Sequence, residues 1–297
     1  MYARFAGQIF FRKGVAMTRT VLAPAKINLC LHVLGKRPDG YHDVAMLMQR
    51  ISLYDRLRID VGGPPGVRVR CAAVELPAGE ENIAARAAHR MLNLAGRNDG
   101  VEIVIDKQIP VAAGLGGGSS DAAAVMLALN EMLDLNLPQE TLLAEGAQLG
   151  ADVPFFIFGG DAWATGIGDV LTPVLDLPRL WYVLVNPGVA VSTAWVYQNL
   201  RLTTPGVDAK LPRLSRTAEG VVRLLHNDLE SVTVGRHPEL AELKARLIAL
   251  GAAGALMSGS GPTVFGLFAE ECSARAAAEA LAGVAGARVF VVQPVGN

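Results

Sequence analysis

A chain of 297 residues with 51% hydrophobic content is long enough for two lobes and too apolar to stay disordered. Its formal net charge of −1 excludes a nucleic-acid binder that works through bulk charge, yet leaves room for a small anionic ligand at a local positive site. Three dispersed cysteines (Cys30, Cys71, Cys272) suit a reducing, cytoplasmic setting. With no CxxC or HExxH among five scattered histidines, no metal ligand set is read.

Residues 1–16 carry Arg4, Arg12 and Lys13 among Phe5, Ile9, Phe10 and Phe11. They lack the apolar core and cleavage site of a signal peptide. The expectation is an N-terminal extension, non-native or disordered, ahead of a working start near Met17; a transit peptide is the other reading. Residues 21–34 read as strand, bend at Pro24, strand, and 36–41 (K-R-P-D-G-Y) as a turn. A second turn at 62–66 separates strands near 57–61 and 67–72. Helical apolar spacing covers 83–94, and 101–105 alternates as a strand.

The stretch P-V-A-A-G-L-G-G-G-S-S-D-A-A-A from Pro110 to Ala124 is the most informative in the chain. Glycines permit close backbone approach and positive φ. A helix N-terminus offers unpaired N–H groups and the positive end of its dipole, so loop and helix together form a phosphate receptor. No lysine follows the last glycine, as a Walker A loop requires, and a dinucleotide fingerprint fails at Ser119. A serine-capped helix is expected over 119–133, a helix with proline in its first turn over 138–149, and a buried strand over 153–158. Further on, strands are expected at 180–185 and 287–292. Helices are expected at 219–225, 239–250 and 273–281. The uncharged run 247–269 is interrupted by S-G-S-G-P-T, so it reads as helix, glycine loop and strand rather than a membrane span. The whole is α+β in two lobes: an N-terminal lobe over 17–165 that carries the phosphate receptor and a C-terminal lobe over 166–297.

Asp152 follows a glycine in an apolar stretch, and Lys26 lies in an equally apolar strand; each needs a partner. A Lys26–Asp152 pair would keep the carboxylate ionised and ready to accept a hydroxyl proton. A structural ion pair is the alternative.

Four segments together resemble the galactokinase/homoserine kinase/mevalonate kinase/phosphomevalonate kinase (GHMP) superfamily. They are A-P-A-K-I-N-L from Ala23, the glycine loop, G-A-D-V-P from Gly150, and S-G-S-G-P-T from Ser258. The first pair is similar to the branch whose acceptor is cytidine diphosphate-linked methylerythritol. The resemblance implies a two-lobed fold with the active site in the inter-lobe cleft. It implies ATP-dependent phosphoryl transfer to a hydroxyl, with magnesium accompanying the nucleotide. Lys26 and Asp152 would be the catalytic residues. Pro110, Val111, Ala112, Ala113, Gly114, Leu115, Gly116, Gly117, Gly118, Ser119 and Ser120 would wrap the phosphates. Asn82 and Lys107 would line the adenine pocket, unless Asn82 only caps a helix and Lys107 only ends a strand in solvent. Tyr41 and His42 would hold the cytosine, one by stacking and one by hydrogen bonding, with Tyr197 on its other face. Asn28 would lie near the methylerythritol end. The partners implied are that small molecule and ATP, without nucleic acid or membrane. A homoserine or mevalonate-type kinase, a non-catalytic nucleotide binder and an interaction protein with a glycine hinge are the competing readings.

Overall fold

A computed structural model describes residues 17–72, 82–201 and 217–295; the expectation for residues 1–16 lies outside them. The chain opens with a long antiparallel pair, β1 (Met17–Lys36) and β2 (His42–Val61), joined by the predicted turn. Pro24 does not break β1. It sits at a bulge, where the missing N–H costs the ladder nothing. Then follow β3 (Gly66–Cys71), α1 (Ile83–Leu94), β4 (Gly100–Asp106), α2 (Gly117–Met132), α3 (Gln139–Ala147), α4 (Val153–Phe158), β5 (Ala162–Thr165) and β6 (Val170–Pro173). The second half holds β7 (Trp181–Asn186), α5 (Thr193–Asn199), α6 (Ala218–Leu224), β8 (His226–Asn227), α7 (Glu230–Arg236), α8 (Glu239–Ala249), β9 (Gly254–Met257), β10 (Val264–Phe268), α9 (Glu271–Leu281) and β11 (Arg288–Val292).

Two sheets result. The first runs β3-β4-β2-β1-β8, with the β5–β6 hairpin attached to β2; the second runs β11-β7-β10-β9. Residues 166–173, expected in the C-terminal lobe, therefore include a strand of the first sheet, because β6 pairs with β5. Helix α2 packs on β1, β2, α1 and α4. Its buried residues Ala122, Ala123 and Ala128 let these elements approach closely, and Val125, Met126 and Leu129 fill the space between. The second sheet is covered by α8 and α9. A buried polar chain ties the sheets together: Tyr182 Oη of β7 donates to Gln49 Oε1 of β2 (2.6 Å), and Gln49 Nε2 donates to Asp161 (2.7 Å).

Two local expectations are corrected. Residues 153–158 form the helix α4, not a strand. Pro154 takes its first turn and Gly159 closes it at φ +79°. A six-residue apolar run cannot be divided between helix and buried strand by periodicity. Helix α2 begins at Gly117, with left-handed Gly116 at its cap and no side-chain cap bond, so neither serine caps it. Among the described residues, no helix is long and apolar enough to cross a membrane.

Candidate active site

One edge of β1 pairs with β2; the other is where the site is assembled. Lys26 N donates to Leu115 O of the glycine loop (3.0 Å), and Asn28 N donates to Ser258 Oγ (3.3 Å). Ser258 Oγ in turn donates to Gly114 O (2.9 Å). Two residues further along the same edge, β8 pairs with Cys30 and Leu31. Three segments, each more than 80 residues in sequence from its β1 partner, thus meet β1 along successive positions of one strand edge. The 258–263 loop is pinned by its own contacts as well: Asn227 Nδ2 donates to Met257 O and Gly259 O (both 2.8 Å), and Thr233 Oγ1 donates to Ser260 O (3.0 Å).

The glycines of the 110–118 loop are needed where these pieces touch. Gly114 has φ +74°, and a Cβ there would sit 2.1 Å from Ser258 O. Gly116 has φ +71°, and a Cβ would fall 2.9 Å from the Phe156 ring and 3.1 Å from Lys26 Cγ. Any side chain would push the loop off the strand.

These elements enclose a cleft of about 790 Å³. Pro110–Gly114 and Gly116–Ser119 line it, with Lys26, Asn28, Asn82, Lys107, Asp152, Tyr41, His42 and Tyr197. Leu115 and Ser120 do not line it. Leu115 turns into the apolar core while its carbonyl holds β1, and Ser120 is buried on the inner side of the first turn of α2. Lys26 is 4% exposed; its Nζ lies 2.6 Å from Asn28 Oδ1 and 3.6 Å from Asp152 Oδ2. The Asp152 side chain retains 30% exposure and caps no helix N–H, so its carboxylate has open sides facing the cleft.

The alternative held for Asn82 is realised: its Oδ1 accepts from Ala84 N (2.9 Å) and Ala85 N (3.4 Å) to cap α1, although the residue also borders the cleft. Lys107 is no solvated strand end. Its Nζ is buried between Asp55 Oδ2 (2.5 Å) and Asp121 Oδ2 (2.7 Å). The other Asp55 oxygen accepts from Gln108 N (2.6 Å) and Ile109 N (2.8 Å). Burial opposes the Lys107 charge, but Asp121 and Asp55 outweigh it and raise its pKa. One ammonium faces two carboxylates, and the surplus acid gives way. Burial, with Asp55 adding to it against the pull of Lys107, moves the Asp121 pKa up to about 7. Sequence reading missed Asp55 and Asp121. The only signal was two acids in apolar surroundings, and nothing local says that they share a lysine.

At the cytosine candidates, the His42 and Tyr197 rings already meet, centroids 5.1 Å apart at 30°. Tyr41 is 59% exposed. Burial and the neighbouring Lys36 lower the His42 pKa, favouring a neutral imidazole that can both donate and accept. Burial, with the Asp152 charge adding to it, raises the Tyr197 phenol pKa and keeps it a donor.

Residues 82–160 match the GHMP kinases N terminal domain and residues 209–285 the GHMP kinases C terminal. The chain is 60% identical to the 4-diphosphocytidyl-2-C-methyl-D-erythritol kinase of Syntrophotalea carbinolica, over 93% of this chain and 99% of that one. A crystal structure of 4-(cytidine 5'-diphospho)-2C-methyl-D-erythritol kinase superposes with a TM-score of 0.80 at 41% identity, covering 94% of this chain and all of that one. Homoserine kinase from Cytophaga hutchinsonii, at 21% identity and a TM-score of 0.72 over 98% and 96% of the two chains, shares the fold.

Proposed function

From this chain's membership of the GHMP kinase family, among the 4-diphosphocytidyl-2-C-methyl-D-erythritol kinases, we infer that it transfers the γ-phosphoryl group of ATP to the 2-hydroxyl of 4-diphosphocytidyl-2-C-methyl-D-erythritol, a step of non-mevalonate isoprenoid synthesis. The observation that carries the site assignment is the Lys26–Asp152 pair, 3.6 Å apart and beside the glycine loop in one cleft.

The triphosphate would lie on Gly114–Ser119, where N–H groups at the start of α2 and its dipole face the anion. Asp152 would accept the hydroxyl proton as the substrate oxygen bonds to the γ-phosphorus and the bond to the β-phosphate oxygen breaks, releasing ADP. Lys26, oriented by Asn28, would hold that carboxylate and offset charge developing on the transferring group. Tyr41, His42 and Tyr197 would grip the cytosine, far from the reacting hydroxyl. Such remote binding energy serves to orient the reacting groups.

Magnesium is expected with the nucleotide and would be held chiefly by its phosphate oxygens, hard ligands of the kind that ion takes. Of the buried oxygens at the start of α2 without hydrogen-bond partners, Ser120 Oγ belongs to a side chain off the cleft and Asp121 Oδ1 to an acid already paired with Lys107, so this chain adds no built ligand set there among the described residues. When bound it neutralises phosphate charge. The free thiols of Cys30, Cys71 and Cys272 suit a cytoplasmic enzyme. The first lobe, taken as residues 17–165 together with β6, would carry the nucleotide.

An ADP-release assay across a panel of acceptors tests the reading. ADP should appear only with the cytidine-linked polyol. Equal or greater turnover with homoserine or mevalonate would overturn it.

A further inference from the structure

The β1–β8 pairing builds a second cluster on the other side of the strand from the cleft. Strand alternation turns Leu31, which lines the cleft, and its register partner Asn227 to one side of the sheet, where Asn227 holds the 257 and 259 carbonyls. The same alternation turns His32 and His226 the opposite way. Their rings stack with centroids 4.4 Å apart. Asp228 joins them: its Oδ1 lies 2.6 Å from His226 Nε2, and its Oδ2 accepts from Val33 N at 2.7 Å, which fixes the carboxylate. One ligating atom from each of the three side chains lies within 4.8 Å of the others.

We propose that His32, His226 and Asp228 form a binding site for a borderline divalent transition-metal ion such as zinc, distinct from the magnesium that accompanies the nucleotide. Two imidazoles and a carboxylate are a common zinc donor set, and a magnesium ion would prefer oxygen alone. Tetrahedral ligands about 2.0–2.2 Å from one ion lie about 3.3–3.6 Å apart, so the cluster must contract on binding. The half-exposed His226 ring has room to turn out of its stack on His32 toward a shared ion, and its exposure leaves a path for the ion. Asp228 is held by backbone, so one ligand is in place beforehand. The ligands come from positions 32, 226 and 228, so no sequence motif announces them. A bound ion would pin β8 to β1, and through Asn227 would steady the loop that touches Lys26 and Asn28.

The test is titration of the full-length, tag-free, chelator-treated protein with cobalt(II), followed by visible absorption, and with zinc, followed by thermal unfolding. We expect one equivalent of cobalt with a spectrum of nitrogen and oxygen ligation, and a melting temperature that rises with zinc. His226→Ala and His32→Gln should each weaken cobalt binding at least about tenfold. His226→Ala should keep its magnesium-dependent turnover when no zinc is present. Wild-type affinity in both variants, or no cobalt spectrum in the wild type, would overturn the proposal. Circular dichroism of each variant separates lost ligation from lost fold.

Discussion

Two buried lysines flank the glycine loop, and they are built for different ends. Lys26 meets an amide at 2.6 Å and a carboxylate at 3.6 Å that is still 30% exposed. Lys107 meets two carboxylates at 2.5 and 2.7 Å, neither more than 4% exposed. The first arrangement leaves acid and cation partly unsatisfied toward a cleft, as a site that must receive a reacting group requires. The second closes on itself and braces the loop at the cleft wall; a Cβ on Gly117 would come within 3.1 Å of the Lys107 ammonium. The same two residue types thus serve turnover in one place and loop position in the other, and exposure of the acid separates them.

The sharpest way to break this contrast is at Asp152. Asp152→Asn keeps the shape and loses the proton acceptor, so turnover should fall by about 1,000-fold while the melting temperature stays near that of the wild type. Retention of a tenth of the turnover would remove Asp152 from the chemistry. Lys107→Met should do the reverse. It leaves Asp55 and Asp121 buried without their cation, a loss of about 3–5 kcal/mol in urea unfolding. A loss under about 1 kcal/mol would show that Lys107 does not brace the loop.

A third test uses pH. The Asp121 carboxyl is raised from 3.8 to about 7 in the folded chain, so between those values the folded state binds a proton that the unfolded state does not. Stability from this group is therefore present at the acid end of that window and lost as pH rises toward 7. The Asp121→Asn variant should lack that slope, so the stability difference between wild type and variant should change steadily across the window. A difference that stays constant from pH 4 to pH 7 would contradict the surplus-acid account.

The contrast also marks what the sequence could tell. The hairpin turn at 36–41, α1, β4 and the glycine loop were legible, because turn residues, 3.6-residue spacing and alternation are local signals. The Lys26–Asp152 pair was legible too, through two charges stranded in apolar runs. Helix α4 was misread because six apolar residues carry no period, although Pro154 at its start was a signal passed over. The acids that hold Lys107 were not legible, because they sit 52 and 14 residues away. Serine is the expected cap of α2 because side-chain capping is the commoner device, whereas here the close approach of the Phe156 ring and Lys26 to Gly116 requires glycine.

The smallest expected effect lies at the cytosine candidates, where exposure again divides the roles. Tyr41 is mostly exposed and touches the cleft with one face, so Tyr41→Ala should remove a stacking contact and little else. A base–aromatic stack is worth about 1–3 kcal/mol, so KM for the cytidine substrate should rise about tenfold with kcat and the KM for ATP nearly unchanged. Tyr197 is packed against His42, and its phenol lies in the field of Asp152. Tyr197→Phe keeps the ring plane, so its substrate KM should move less than that of Tyr41→Ala. The pair separates stacking from hydroxyl chemistry. If Tyr197→Phe instead lowers kcat as strongly as Asp152→Asn does, the phenol belongs to the proton-accepting group, and the division between a binding end and a reacting end of the cleft must be redrawn.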